Sequence, residues 1–168
     1  MDGWVTSSCG WFVPLCEAQR QIIQHSSYLM ADETPIPVLD RTKPWKTHLG
    51  YHGVYYDPVA KRVLFDYRPG RSRAGPNDML KNFRGHLQIG LMAKLEKYVT
   101  DGRLEIDNNL VENAIRPVAL GRKNYLFAGS HEGAKRAAMI YTLVATAKLH
   151  QVEPFEIKRR AAISPMQH

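Results

Sequence analysis

A mixed α/β domain is what this sequence predicts, and three observations predict it. Apolar residues recur at helical spacing near the start. Residues 28–67 are dominated by aromatic and β-branched residues broken by turn signals. Two further apolar stripes at helical spacing follow, around residues 110–115 and 133–149.

The 168 residues fit one domain, and 44% hydrophobic content is enough for a real core. Lysine and arginine number 23 against 16 acidic residues, a net charge of +7 with a pI near 9.5. That balance favours a polyanionic partner such as nucleic acid. The first residues carry Asp2 and no cation before an apolar run that Pro14 interrupts, so neither a secretion signal nor a membrane span is expected. A cytoplasmic chain follows from that reading. Cys9 and Cys16 stand seven apart with no Cys-x-x-Cys spacing, and both are expected as reduced core residues.

Taken in order, Val5, Cys9, Phe12, Leu15, Cys16, Ile22 and Ile23 predict a packing helix over residues 4–25, interrupted or kinked at Gly10 and Pro14. Residues 28–39, YLMADETPIPVL, read as a short strand that delivers Asp32 and Glu33 at its end, before two prolines. Two readings of that end stand side by side: carboxylates placed to hold a cation, or a turn capped by Asp32 and Thr34. A basic turn at residues 41–46 leads into THLGYHGVYYD and KRVLFDY, a β-hairpin rich in aromatic and β-branched residues. His48 and His52 share a strand face but stand too far apart to chelate one ion. Residues 68–73, RPGRSR, form a turn whose Arg71 and Arg73 are candidates for phosphate contacts, and GPNDMLKNF restarts as a helix with Pro76 in its first turn.

In residues 101–130, DGRLEIDNNLVENAIRPVALGRKNYLFAGS, Asp107 or Asn108 is a helix N-cap. Leu110, Val111, Ala114 and Ile115 make an apolar stripe, and Pro117 is expected to close the helix at Arg116. Glu112 lies on the flank of that stripe, four residues before Arg116. Arg122, Lys123 and Asn124 then present side chains of the kind that grip phosphates and base edges, with Tyr125 and Phe127 after them. The last helix, residues 133–149, is capped by Ser130, with Lys135 and Arg136 facing solvent or DNA.

The run IDNNLVENAIRPVALGRKNYLFAGS closely resembles the C-terminal signature of the insertion sequence 66 family of bacterial DDE-type transposases, and ADETPIPVL resembles that family's first catalytic motif. The resemblance implies a ribonuclease H-like mixed sheet with flanking helices, here incomplete. It implies Asp32 and Glu112 as the first and last metal-binding carboxylates, with Mg²⁺ or Mn²⁺ as the cofactor. DNA, at insertion-sequence ends, is the implied partner, and a second copy or a full-length transposase the implied protein partner. The family has Arg after the final Glu, where this chain has Asn113. After FRGHLQ the family continues into a second catalytic Asp followed by Gly and Tyr, whereas this chain reads Ile89, Gly90, Leu91. The expected organisation is an N-terminal helical segment, residues 1–27; a catalytic-core remnant, residues 28–155, with a deletion near 88–91; and an unmatched basic tail, residues 156–168. The N-terminal DNA-recognition region of full family members is expected to be missing. Two functions follow: a transposase with impaired phosphoryl transfer, because the second Asp is gone, or an inactive fragment that only binds DNA.

Overall fold

The computed structural model describes residues 3–40, 46–72, 74–89, 109–124, 128–156 and 159. Their elements are α1 (Gly3–Gln24), β1 (Tyr28–Leu39), β2 (Thr47–Asp57), β3 (Arg62–Arg68), α2 (Ala74–Met79), β4 (His86–Ile89), α3 (Asn109–Asn124) and α4 (His131–Leu149). Four strands form one mixed sheet in the order β3-β2-β1-β4. The β1–β2 and β2–β3 pairs are antiparallel, and β4 runs parallel to β1. The mixed α/β class is therefore the one observed. None of the described helices is long and apolar enough to cross a membrane.

Strand alternation sorts the sheet into two faces. One carries Tyr28, Met30, Ile36 and Val38 of β1 with Val54, Tyr56, Val63 and Phe65, packed in one cluster with Val111 and Val118 of α3 and Ala134 and Ala138 of α4. The other carries Leu29, Ala31, Tyr55 and Leu64, packed with Ile23 of α1 and Met79 of α2.

β1 is longer than a strand stopped by its prolines would be, because it runs through Pro35 and Pro37 to Leu39. The reason is the edge their nitrogens face. Ala128 N–H donates to Pro37 O and Leu39 N–H donates to Ala128 O, both on the edge of β1 away from β2. The two-residue period puts the nitrogen of Pro35 on that same edge. The missing N–H groups thus cost no bond to β2.

The outer edge of β3 is sealed by side chains. Thr142 Oγ1 accepts the Phe65 N–H at 2.9 Å, Thr146 Oγ1 accepts the Val63 N–H at 3.2 Å, and Gln19 Nε2 donates to Val63 O at 2.6 Å. Gln19 also donates to Thr146 Oγ1 at 2.8 Å, which joins α1 to α4 over the strand. These bonds satisfy backbone groups that an open edge would expose.

Three helix expectations change. α1 is continuous through Gly10 and Pro14. Its inner face is Phe12, Cys16, Gln19 and Ile23, so Leu15 and Ile22, expected to pack, are exposed. Cys16 is a half-buried thiol rather than a core residue, with Sγ 3.9 Å from Met139 O; the Cys9 side chain lies outside the described residues. α3 does not end before Pro117 but continues to Asn124, since the burial of Val118 outweighs the one backbone bond that proline removes. α4 starts as expected, with Ser130 Oγ accepting the Gly133 N–H at 3.0 Å. The β2–β3 turn depends on Asp57, whose Oδ1 accepts the N–H groups of Val59 and Ala60 at 2.9 and 2.8 Å.

Two outcomes are expected. Thr142→Val keeps the shape of the side chain but leaves the Phe65 N–H buried without a partner, and should lower unfolding stability by about 1–3 kcal/mol, read as a reduced urea midpoint with unchanged slope. At Gly85 a Cβ would stand 2.4 Å from Ser27 O and 2.6 Å from Ser26 O. Since both are backbone atoms, Gly85→Ala should cost roughly 2–3 kcal/mol and loosen the β1–β4 pairing, seen as faster amide exchange in β4.

Candidate functional site

Asp32 is half-buried in the middle of β1, not at a strand end, opposite Val54 of β2. It stands one residue beyond Ala31↔Ile89, the last β1–β4 pair, so the parallel neighbour stops beside it. Its Oδ1 accepts the Glu33 N–H at 2.7 Å. By alternation it belongs to the face that carries Met30 and Ile36, the face on which α3 and α4 pack.

Glu112 is exposed in the first turn of α3. Its neighbour Val111 is fully buried in the cluster that contains Met30, which fixes this turn over the Asp32 face. At about 100° per residue, Glu112, Arg116 and Lys123 fall within one narrow stripe, roughly 130° around the helix from Val111 and Val118. All three are exposed. Lys123, expected beyond the helix end, is instead on the helix itself, on the same side as the carboxylate. The side chains of Arg122 and Asn124 lie outside the described ones.

The remaining candidates are dispersed. Glu33 points to the opposite face, where its Oε1 pairs with Arg71, and the Arg71 guanidinium lies 5.9 Å from the centre of the Tyr51 ring. Arg73 is outside the described residues. Lys135 is exposed and donates to Glu132 Oε1 at 2.8 Å, while Arg136 is half-buried on the same helix. The Lys135 ammonium holds the exposed Glu132 carboxyl below its usual range.

Asp66 does not join Asp32. Gly53 pairs with both Glu33 and Asp66, which places Asp66 on the Glu33 face. There it is held by Arg20 at 3.0 Å and Arg68 at 2.7 Å. Burial, reinforced by the Asp66 charge, pushes the nearby Tyr55 phenol up to about 12, so Tyr55 stays neutral. An open cavity of about 610 Å³ lies on this side, with Arg20, Asp66, Arg68 and Lys135 in its wall, and neither Asp32 nor Glu112 lines it.

His48 and His52 are packing residues. His52 is fully buried with its ring edge-on to Tyr67 at 5.7 Å, and His48 lies 4.5 Å from the ring of His131. His131 Nδ1 is in turn hydrogen-bonded to the Tyr67 hydroxyl at 2.7 Å. Among the described residues no group of three or more His, Cys, Asp and Glu side chains is placed to hold a metal ion.

Sequence reasoning missed Gln19, Thr142 and Thr146, the polar residues that hold the sheet edge, because their partner strand is remote in the chain. It also missed the Arg71–Tyr51 contact, which no local pattern signals.

Comparison with known proteins gives the chain a family. It is 52% identical over 62 residues to the uncharacterized protein y4qI of Sinorhizobium fredii, covering 37% of this chain and 12% of that protein. Two further proteins of that organism, y4hP and y4jD, are 47% identical over 57 residues and 38% identical over 61 residues. Those matches cover 34% and 36% of this chain, and 10% and 12% of the relatives. The chain thus spans only about a tenth of the length of the curated relatives it matches. No solved structure matches it. The sequence profile of the Transposase IS66 family matches residues 1–90 and again 89–136, two segments that meet at the end of β4. Since these segments take in most of the 168 residues, the chain belongs to the IS66 family of transposases.

Proposed function

We propose that this chain is a DNA-binding transposase polypeptide on a ribonuclease H-like sheet, with Asp32 and Glu112 as the surviving metal-binding carboxylates and with weak or no strand cleavage. The observation that carries the reading is the family match, which covers Asp32 in one segment and Glu112 in the other. The strand, hairpin, helix, strand order, with β4 parallel to β1, supports the ribonuclease H-like arrangement.

Moving a DNA segment requires an in-line displacement at phosphorus, in which a hydroxyl attacks and a bridging P–O bond breaks. Mg²⁺ or Mn²⁺, when bound, would activate the attacking oxygen and stabilise the leaving one. Asp32 has its Oδ2 to offer, with Oδ1 holding the Glu33 N–H, and Glu112 offers an exposed carboxylate. Two carboxylates suit one hard cation whose other positions are filled by water. They do not suit a pair of ions, which needs a bridging third acid. Asp66 is on the other face, and Asp101 and Asp107 lie outside the described residues. Within the chain, Glu33 N–H orients the Asp32 carboxyl, and the Arg116–Lys123 stripe holds the DNA backbone beside Glu112 through charge. The missing acid also favours the second reading, a chain that binds DNA in the bacterial cytoplasm without cutting it.

Supercoiled plasmid incubated with Mg²⁺ or Mn²⁺ should show no nicking or strand transfer above background, while salt-sensitive DNA binding persists in the native chain, Asp32→Ala and Glu112→Ala alike. Metal-dependent cleavage lost in both variants would instead show that the two acids suffice. Arg116→Ala and Lys123→Ala should each weaken duplex binding and each reduce the slope of log K against log salt by about 1, measured by fluorescence anisotropy across a salt series.

A further inference from the structure

The seal on the β3 edge stops partway along the strand. By two-residue alternation, Val63, Phe65 and Tyr67 turn their backbone groups outward, away from β2. Thr146, Gln19 and Thr142 take both Val63 groups and the Phe65 N–H. Among the described residues none pairs with Phe65 O or the Tyr67 N–H, although Phe65 and Tyr67 are buried residues. This stretch of edge lines the open cavity of about 610 Å³, whose other walls include α1 and α4. Backbone groups in such a place call for a hydrogen-bonding partner.

The opposite edge of the sheet shows what a pair of this kind accepts. There Ala128 donates its N–H to Pro37 O at 2.8 Å and accepts the Leu39 N–H at 2.8 Å, bridging the two groups that flank Val38. One residue of extended backbone, running parallel to the strand, makes both bonds. Phe65 O and the Tyr67 N–H flank Asp66 in the same relation.

We infer that this edge takes a short extended peptide from a partner protein, added parallel to β3, with one residue bridging Phe65 O and the Tyr67 N–H. Alternation then fixes where its side chains fall. The bridging residue lies beside Asp66, so its side chain is on the α1 side of the sheet, toward Arg20. Arg20 spends Nη2 on Asp66 at 3.0 Å, while its Nη1 stands 3.8 Å from Asp78, beyond hydrogen-bond length. A guanidinium only donates, so a Glu in the bridging position supplies the acceptor. The residues before and after it turn to the α4 side, where Ala138 and Met139 form the wall and small apolar side chains fit. The occupant is therefore an apolar–acidic–apolar segment. Charge argues against DNA here: four cations, of which Lys135 is already bound to Glu132, face three carboxylates. So nearly neutral a wall draws no polyanion, whereas an edge of amide and carbonyl groups complements a polypeptide backbone.

The test titrates a fluorescein-labelled peptide, Ala-Val-Glu-Val-Ala, into the full chain and reads anisotropy and amide hydrogen exchange. Binding should slow exchange of the Tyr67 N–H about tenfold, while the Val63 and Phe65 N–H groups, already bonded, keep their rates. Methylating the nitrogen of the central Glu removes the donor to Phe65 O and should weaken binding about tenfold. Replacing that Glu by Lys should weaken it similarly, and in Arg20→Gln this preference should vanish while the effect of N-methylation remains. Equal affinity for the N-methylated peptide would overturn the edge pairing, and so would unchanged Tyr67 exchange at millimolar peptide. Displacement of the peptide by duplex DNA would overturn the choice of occupant. None of these outcomes depends on the DNA reading of α3, which the salt series tests separately.

Discussion

The sealing of the β3 edge is the interaction on which the rest of this structure depends. A four-stranded sheet has two open edges, and β3 would present Val63 and Phe65 backbone groups to solvent or to another chain. Thr142 and Thr146, one turn apart on α4, meet those groups at the two-residue period of the strand. Helical and strand periods coincide only over such a short span, so the fit fixes both the position of α4 along β3 and its rotation. Gln19 brings α1 into the same arrangement. The two helices are thereby locked to opposite sides of one strand, and the sheet gains two distinct faces.

From that division the placement of the acidic residues follows. Adjacent positions in β1 belong to different chemical environments: Asp32 faces the helix that carries Glu112, whereas Glu33 faces Arg71 on the other side. The same alternation separates Asp66 from Asp32, although β3 is only two strands away. A carboxylate count from the sequence would group these acids, but the pleat of the sheet sorts them.

Much of the fold was legible in the sequence where the signal is local. The alternation in THLGYHGVYYD and KRVLFDY marks a hairpin, and Ser130 three residues before Gly133 marks a helix start. What was not legible depends on distant partners. Pro117 reads as a helix end until Val118 is seen to be buried against residues from β1, and Leu15 and Ile22 read as packing residues until Gln19 takes the inner face. Asp32 and Glu33 read as a strand end before two prolines, because a sequence does not say which edge each proline nitrogen faces. For the site, the residues alone left Asp32 balanced between a turn cap and a cation ligand; only the family resemblance singled it out together with Glu112.

α3 runs through Pro117 with one rung missing from its ladder, since residue 117 has no N–H to offer the carbonyl of Asn113. The turn that holds Glu112 and the turn that holds Lys123 are consequently anchored separately, by Val111 and by Val118. The helix is mechanically two short rods joined at a weak point. Any bend of α3 is therefore confined to that point, and the Glu112 turn keeps its seat through Val111 while the following turn keeps its own through Val118.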